Sequence, residues 1–213
     1  MGYPATKTAI FLSYRREDSI ETAGRMYSWL SMRLPQQLIF LDVRSIWPGA
    51  NYRTEMAMAL EEAEVVLVII GRSWSAITRP EGLVRRLEEP DDAVRQEIEL
   101  ALARGKTIIP ILTQGITMPS RADLPDSIRA FADLNALPVR PEPDFDNDMR
   151  TLRTAIDRLS PGLPWHAPSV PMSAPPLVPG YPPPAQTRSQ PQPAPTAKST
   201  SIVSRVRRIF RSR

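Results

Sequence analysis

An open α/β fold built on a parallel sheet is what this sequence predicts, and three observations predict it. Five short apolar or β-branched runs alternate with amphipathic segments between Thr8 and Leu159, the pattern of parallel strands joined by helical crossovers. The run Val65 to Ile70 (VVLVII) has no polar alternation, which suits a central strand covered on both faces. That run is also the longest apolar one and far too short to cross a bilayer, so no transmembrane helix is expected and the run reads as a strand. With right-handed crossovers the common order for five strands is the flavodoxin-like 2-1-3-4-5, with helices on both faces.

The elements follow in order. Thr8 to Leu12 (TAIFL) reads as a strand, and the abrupt change to Ser13-Tyr14-Arg15-Arg16-Glu17-Asp18 makes a loop. From Ser19 to Leu34 the positions Ala23, Met26, Tyr27, Leu30 and Leu34 recur at helical spacing, with Ser19 as N-cap and Pro35 as the stop. Leu38 to Val43 is a second strand with Asp42 as a cap or turn residue, and Arg44 to Ala50 (RSIWPGA) is a loop turning at Pro48-Gly49. Asn51 to Glu64 repeats the helical pattern through Tyr52, Met56, Ala59, Leu60 and Ala63. A charged loop from Gly71 to Glu89 joins the central strand to a helix over Pro90 to Arg104. Thr107 to Leu112 is the fourth strand, Asp123 to Ala132 a short helix, and Leu134 to Val139 a proline-containing edge strand. Phe145, Met149, Leu152, Ile156 and Leu159 mark the last helix.

Beyond residue 160 the composition changes. Pro161 to Pro195 holds more than half of the 24 prolines and no acidic residue, a composition that buries too little apolar surface to order itself. Residues 161–200 are therefore expected to be a Pro-rich linker, with Trp165 and His166 incidental within it. Residues 201–213 (SIVSRVRRIFRSR) place Ile202, Val206, Ile209 and Phe210 on one face and arginines largely away from it. That is a basic amphipathic segment suited to a membrane surface or another anionic partner, with an inert tail as the alternative. Nucleic acid is the weaker reading, because bulky aliphatics contribute little to phosphate contact. The formal charge of +4 belongs to this end: from Arg188 onward there are seven Lys or Arg and no Asp or Glu.

Composition also excludes chemistry. The chain has no cysteine and a single histidine, His166, so disulfides, a thiol nucleophile, a Cys/His zinc site and a Ser-His-Asp triad in the folded part are ruled out. Carboxylates, hydroxyls and arginines must carry any catalysis, and no cofactor or metal is expected. The leading MGYPATK lacks the apolar centre of a secretory signal, which leads to the expectation of a cytoplasmic protein, peripheral to membrane if the tail binds there. Gly105-Lys106-Thr107 is not a phosphate loop, since Leu100 stands where its first glycine is needed and the triplet leaves a helix for a strand. Gly105 reads instead as a helix C-terminal residue. No G-x-G-x-x-G occurs, which excludes a dinucleotide fingerprint of the Rossmann type.

One carboxylate stands out. On the Pro90 to Arg104 helix, Val94, Ile98, Ala101 and Leu102 form an apolar arc with Arg95, Gln96 and Glu99 opposite. Glu97 falls on the flank of the buried stripe, a place that perturbs carboxylates and often marks a site. The residues alone leave a second reading open, an ordinary ion pair with Arg95 or Arg104. In a 2-1-3-4-5 sheet the crevice lies where winding reverses, at the carboxyl ends of the first and third strands. Here those ends are Ser13 to Asp18 and Gly71 to Ser75, and the Glu97 helix follows the third strand.

Several runs in order carry a resemblance: Ile10 to Arg16 (IFLSYRR), Phe40 to Val43 (FLDV) with Pro48-Gly49, and Val94 to Ile98 (VRQEI) before Gly105 to Ile111 (GKTIIPI). Over roughly Thr8 to Leu159 the chain resembles a Toll/interleukin-1 receptor (TIR) domain. It looks most like bacterial TIR domains and the NAD-cleaving TIR domain of the axon-degeneration protein. The resemblance implies a TIR domain over 1–160 and an NAD+ hydrolase that releases nicotinamide and ADP-ribose, or a cyclised form, in immune or stress signalling. NAD+ is then a substrate. The glutamate required for cleavage in those relatives matches Glu97, and a fixed carboxylate there can stabilise an oxocarbenium-like ribosyl centre or orient ribose hydroxyls. Ser13, Tyr14 and Arg15 match positions lining the nucleotide crevice. Ser73 and Trp74 follow the third strand, and Trp47, Tyr52 and Trp74 are rings that stack on a ligand or else pack their loops. Several NAD-cleaving members carry an aromatic residue four positions before the glutamate. Here it is Ala93, with Trp74 as the candidate replacement. Arg44 to Ala50 corresponds to a loop that contacts a neighbouring TIR domain, which implies self-association. The alternatives are a non-catalytic TIR scaffold acting through TIR–TIR contacts and an effector that imitates host TIR adaptors.

Overall fold

The computed structural model describes residues 8–41, 51–80 and 82–166, without the side chain of Tyr52. All of them belong to the first unit of the chain, and everything from Ala174 on lies outside them. The strands are β1 (Ile10–Tyr14), β2 (Ile39–Leu41), β3 (Val65–Ile70), β4 (Thr107–Thr113) and β5 (Leu137–Val139), and the helices are α1 (Arg16–Ser31), α2 (Tyr52–Glu62), α3 (Ala93–Ala103) and α4 (Phe145–Leu159). All strand pairs are parallel and the order is β2-β1-β3-β4-β5, the flavodoxin-like arrangement expected from the alternation of elements.

β3 shows why the order is stable. Its six residues are all buried, and successive side chains leave on opposite faces of a strand. Val65, Leu67 and Ile69 join α1 (Ala23, Met26, Leu30) and α4 (Met149, Leu152, Ile156) in one core layer. Val66, Val68 and Ile70 join α2 (Met56, Leu60) and α3 (Val94, Ile98, Ala101) in the other. An unbroken apolar run is thus two alternating faces superposed, each buried side chain contributing about 1.5–3 kcal/mol.

The ends of the elements have local causes. Asp92 caps α3 by accepting from the Arg95 N–H at 3.0 Å. At its other end Gly105 takes φ +60°, with its N–H on Leu102 O at 3.1 Å and that of Lys106 on Ala101 O at 2.9 Å, a Schellman closure that favours glycine. After β3 the chain turns against Asp18, whose carboxylate accepts from Gly71 N at 2.7 Å and Ser73 N at 2.8 Å. A Cβ on Gly71 would lie 2.3 Å from that carboxylate, so only glycine permits the approach.

Four expectations need correction. α1 starts at Arg16, not after Ser19, because the N–H groups of Asp18 and Ser19 already close a turn on Arg15 O at 3.1 and 2.9 Å. Ser19, at φ −140° and ψ 20°, kinks that first turn against the rest of the helix. Asp123 to Ala132 is not α-helical but two 3₁₀ segments, Arg121–Asp123 and Asp126–Asp133. Pro125 lies between them and has no N–H to donate to a continuous helix. The fifth strand is only Leu137–Val139. Finally, Trp165 and His166 are not incidental: Trp165 packs against the core with the Arg153 guanidinium 5.0 Å from its ring, and the His166 N–H donates to Arg33 O at 2.7 Å. Asp42, the Arg44 to Ala50 loop and residues 167–213 lie outside the described residues.

Candidate functional site

Where winding reverses between β1 and β3, a cleft of about 300 Å³ opens at the carboxyl ends of the strands. β1 supplies Phe11, Leu12 and Tyr14, the turn after it Arg15, Arg16 and Glu17, the loop after β3 Arg86, and α3 Ala93, Val94 and Glu97. The first residues of both α1 and α3 thus line it, and the positive ends of their dipoles favour an anion there. Its volume sits at the small end of the range for ligand pockets.

The base of the cleft is built around Arg15. Its Nη1 and Nη2 donate to the two oxygens of Asp92, each at 2.8 Å, and its Nε to Trp74 O at 2.8 Å. Asp92 is also the N-cap of α3, so one carboxylate ties the first turn of that helix to the end of β1 across 77 residues of sequence. Glu97 lies little more than one turn further on and is held by the same tie. It is 7% exposed and stands on the cleft wall beside Ala93 and Val94. Arg95 pairs with Glu99 at 2.7 Å and Arg104 with Glu61 at 2.6 Å.

The mouth is charged and open. Arg86 Nη1 donates to Glu17 Oε1 at 2.9 Å, and its Nε lies 3.5 Å from Asp92 Oδ2. Arg16 is exposed on the lip formed by the start of α1.

A family model described as "TIR domain" matches residues 10–153. The chain belongs to the TIR domain family. Among solved structures, the TIR domains of the activated Roq1 resistosome, which directly recognises the pathogen effector XopQ, are similar at 13% identity with a TM-score of 0.53. The match covers 70% of this chain and 99% of that one. A metazoan TIR-STING receptor from C. gigas, in complex with 2',3'-cGAMP, matches at 14% identity with a TM-score of 0.40, over 71% of this chain and 41% of that one. No curated protein matches the chain.

This TIR domain brings Tyr14, Arg15 and Glu97 together at one cleft, and it places the other candidate residues differently. Ser13 is buried in the sheet opposite Val68 and does not line the cleft. Ser73 is exposed, and its N–H holds Asp18. Trp74 is 1% exposed, with its ring stacked on Phe131 at a centroid distance of 5.9 Å. It therefore fills the core under Arg15 and does not replace the ring missing at Ala93. Among the described residues the aromatic side chains lining the cleft are Tyr14 and the buried Phe11. Trp47 lies outside the described residues, and of Tyr52 only the backbone, at the start of α2, is described.

Asp92, Glu17 and Arg86 were not singled out in the sequence. Asp92 had a usable signal, an aspartate directly before a helical apolar pattern. Arg86 stands in a charged run, Arg85 to Glu89, where nothing distinguishes it from a solvated face.

Proposed function

We propose that this TIR domain cleaves the bond between nicotinamide and ribose in NAD+. The observation that carries the reading is Glu97, a buried carboxylate on the wall of a cleft at the reversal point of the sheet. In this reading the C1′–N bond breaks with its electron pair leaving on neutral nicotinamide, and water adds to the ribosyl centre with loss of a proton to give ADP-ribose. A ribose hydroxyl or an adenine nitrogen in place of water would give a cyclised product. The Glu97 carboxylate stabilises the oxocarbenium-like centre and orients the ribose hydroxyls. Tyr14 offers a ring to the nicotinamide or adenine. The resemblance of the motifs to NAD-cleaving relatives supports the same assignment. Incubating the concentrated protein with NAD+ is expected to release nicotinamide, and Glu97→Gln is expected to lower that rate at least about a hundredfold. Equal rates would remove Glu97 from the reaction.

A non-catalytic scaffold is the second reading, and Ala93 favours it, because that cleft wall carries no ring. Absence of nicotinamide release from the full chain, at high concentration and with anionic vesicles present, selects it. Self-association through Arg44 to Ala50, and docking of the basic C-terminal segment on an anionic surface, are proposals on residues outside those described. The TIR domains of an activated resistosome are structurally similar, which supports the assembly proposal. Gly49→Val is expected to reduce both the mass seen by light scattering and NAD+ loss, and no change in either overturns the assembly proposal.

A further inference from the structure

Among the described residues three arginines line the cleft, and they are not equivalent. Arg15 is committed to Asp92 and Trp74 and is buried. Arg16 lies on the exposed lip. Arg86 reaches in from the loop after β3, inside the 3₁₀ segment Arg86–Glu88, and its side chain is 28% exposed. Its two ion-pair contacts use Nη1 for Glu17 and Nε for Asp92. A guanidinium carries five N–H donors in a planar fork, so among the described residues Nη2 remains for a further acceptor.

The Glu17 contact is of a kind that exchanges easily. The Glu17 side chain is 59% exposed, and pairs so open to water attract weakly and trade partners readily. A diphosphate is a stronger competitor, because it brings two negative charges against the single charge of Glu17 and can accept two parallel N–H bonds where Glu17 accepts one. Asp92, behind the guanidinium, keeps Arg86 at the mouth when Glu17 lets go.

We propose that Arg86 is the phosphate-binding cation of this cleft, and that Glu17 occupies it until a phosphate-bearing ligand displaces the carboxylate. The inference rests on the NAD+ reading for its choice of ligand, a dinucleotide diphosphate. It adds that substrate specificity is set from the loop after β3. Glu17 is then a built-in competitor for the guanidinium that the diphosphate must displace.

Calorimetry on the full chain separates this inference from the catalytic reading, with ADP-ribose as probe and adenosine as its phosphate-free counterpart. Arg86→Ala is expected to weaken ADP-ribose binding about ten- to hundredfold and to leave adenosine binding unchanged. Arg86→Lys should recover part of the loss, since it keeps the charge without the fork. Glu17→Gln is expected to tighten ADP-ribose binding severalfold. In turnover, Arg86→Ala should raise KM for NAD+ with a much smaller change in kcat. A chain that releases no nicotinamide but shows these binding shifts supports the phosphate site and overturns only the catalytic reading. Equal losses for ADP-ribose and adenosine, or no ADP-ribose binding by the unmodified chain at millimolar concentration, overturn the proposal.

Discussion

At the base of the cleft Arg15 meets Asp92 with side chains only 1% and 0% exposed, whereas at its mouth Arg86 meets Glu17 with side chains 28% and 59% exposed. Both are arginine–carboxylate contacts at distances of 2.8 and 2.9 Å. Solvent makes them different objects. Two charges withdrawn from water attract strongly but have surrendered their hydration, so the pair costs much to break and adds little over a well-packed apolar pair. Two charges left in water attract weakly and trade partners readily. The first kind fixes geometry, here the position of α3 and of Glu97 upon it. The second can receive a ligand. Distance alone does not tell scaffold from site in this cleft; exposure does.

Asp92→Ala tests the contrast most severely. It leaves Arg15 buried with no counter-ion and removes the N-cap of α3, so the unfolding free energy is expected to fall by about 3–5 kcal/mol. Arg86→Ala removes a screened contact to Glu17 and a longer one, at 3.5 Å, to an Asp92 that keeps both of its bonds from Arg15, and is expected to cost about 1 kcal/mol. Urea denaturation of both variants in the same buffer measures the gap. Equal losses would mean that the mouth pair is as structural as the base pair, and the distinction between them would be lost.

How much of this was legible in the sequence depends on the range of the interaction. Local periodicity placed β3 at the sheet centre and put Glu97 on the flank of its helix, where the structure has it 7% exposed. Gly105 as a helix C-terminal residue follows from the same short-range logic and appears with φ +60°. Non-local pairings could not be read. Nothing in the composition of the Gly71 to Glu89 loop separates Trp74, which stacks on Phe131 in the core, from a ring offered to a ligand. The tie from Arg15 to Asp92 spans 77 residues and exists only once β1 and β3 lie side by side. Trp165 was misplaced for a related reason: proline-rich composition describes the segment's average, while one ring found an arginine and a core to pack on.

A third pair falls between the two extremes and sharpens the role of exposure through pH. In the first turn of α4, Asp148 is buried, and it accepts from Arg140 N at 2.9 Å, from Nε at 2.9 Å and from Nη2 at 2.7 Å, although the Arg140 side chain is 45% exposed. Hydrogen bonds from the guanidinium hold the Asp148 carboxyl below its ordinary value of 3.8, against the upward push of burial. Because the folded value is depressed, the unfolded chain binds the proton first as pH falls, so this stabilisation is complete above the ordinary value and is lost on passing down through the depressed one. Asp148→Asn removes the titrating group. The stability gap between parent and variant is therefore expected to be constant from pH 7 down to about 5 and to shrink steadily below about 4. Urea unfolding at pH 7, 5, 4 and 3 follows that gap. A gap independent of pH would assign the cost of Asp148→Asn to packing and place this pair with the exposed ones at the cleft mouth.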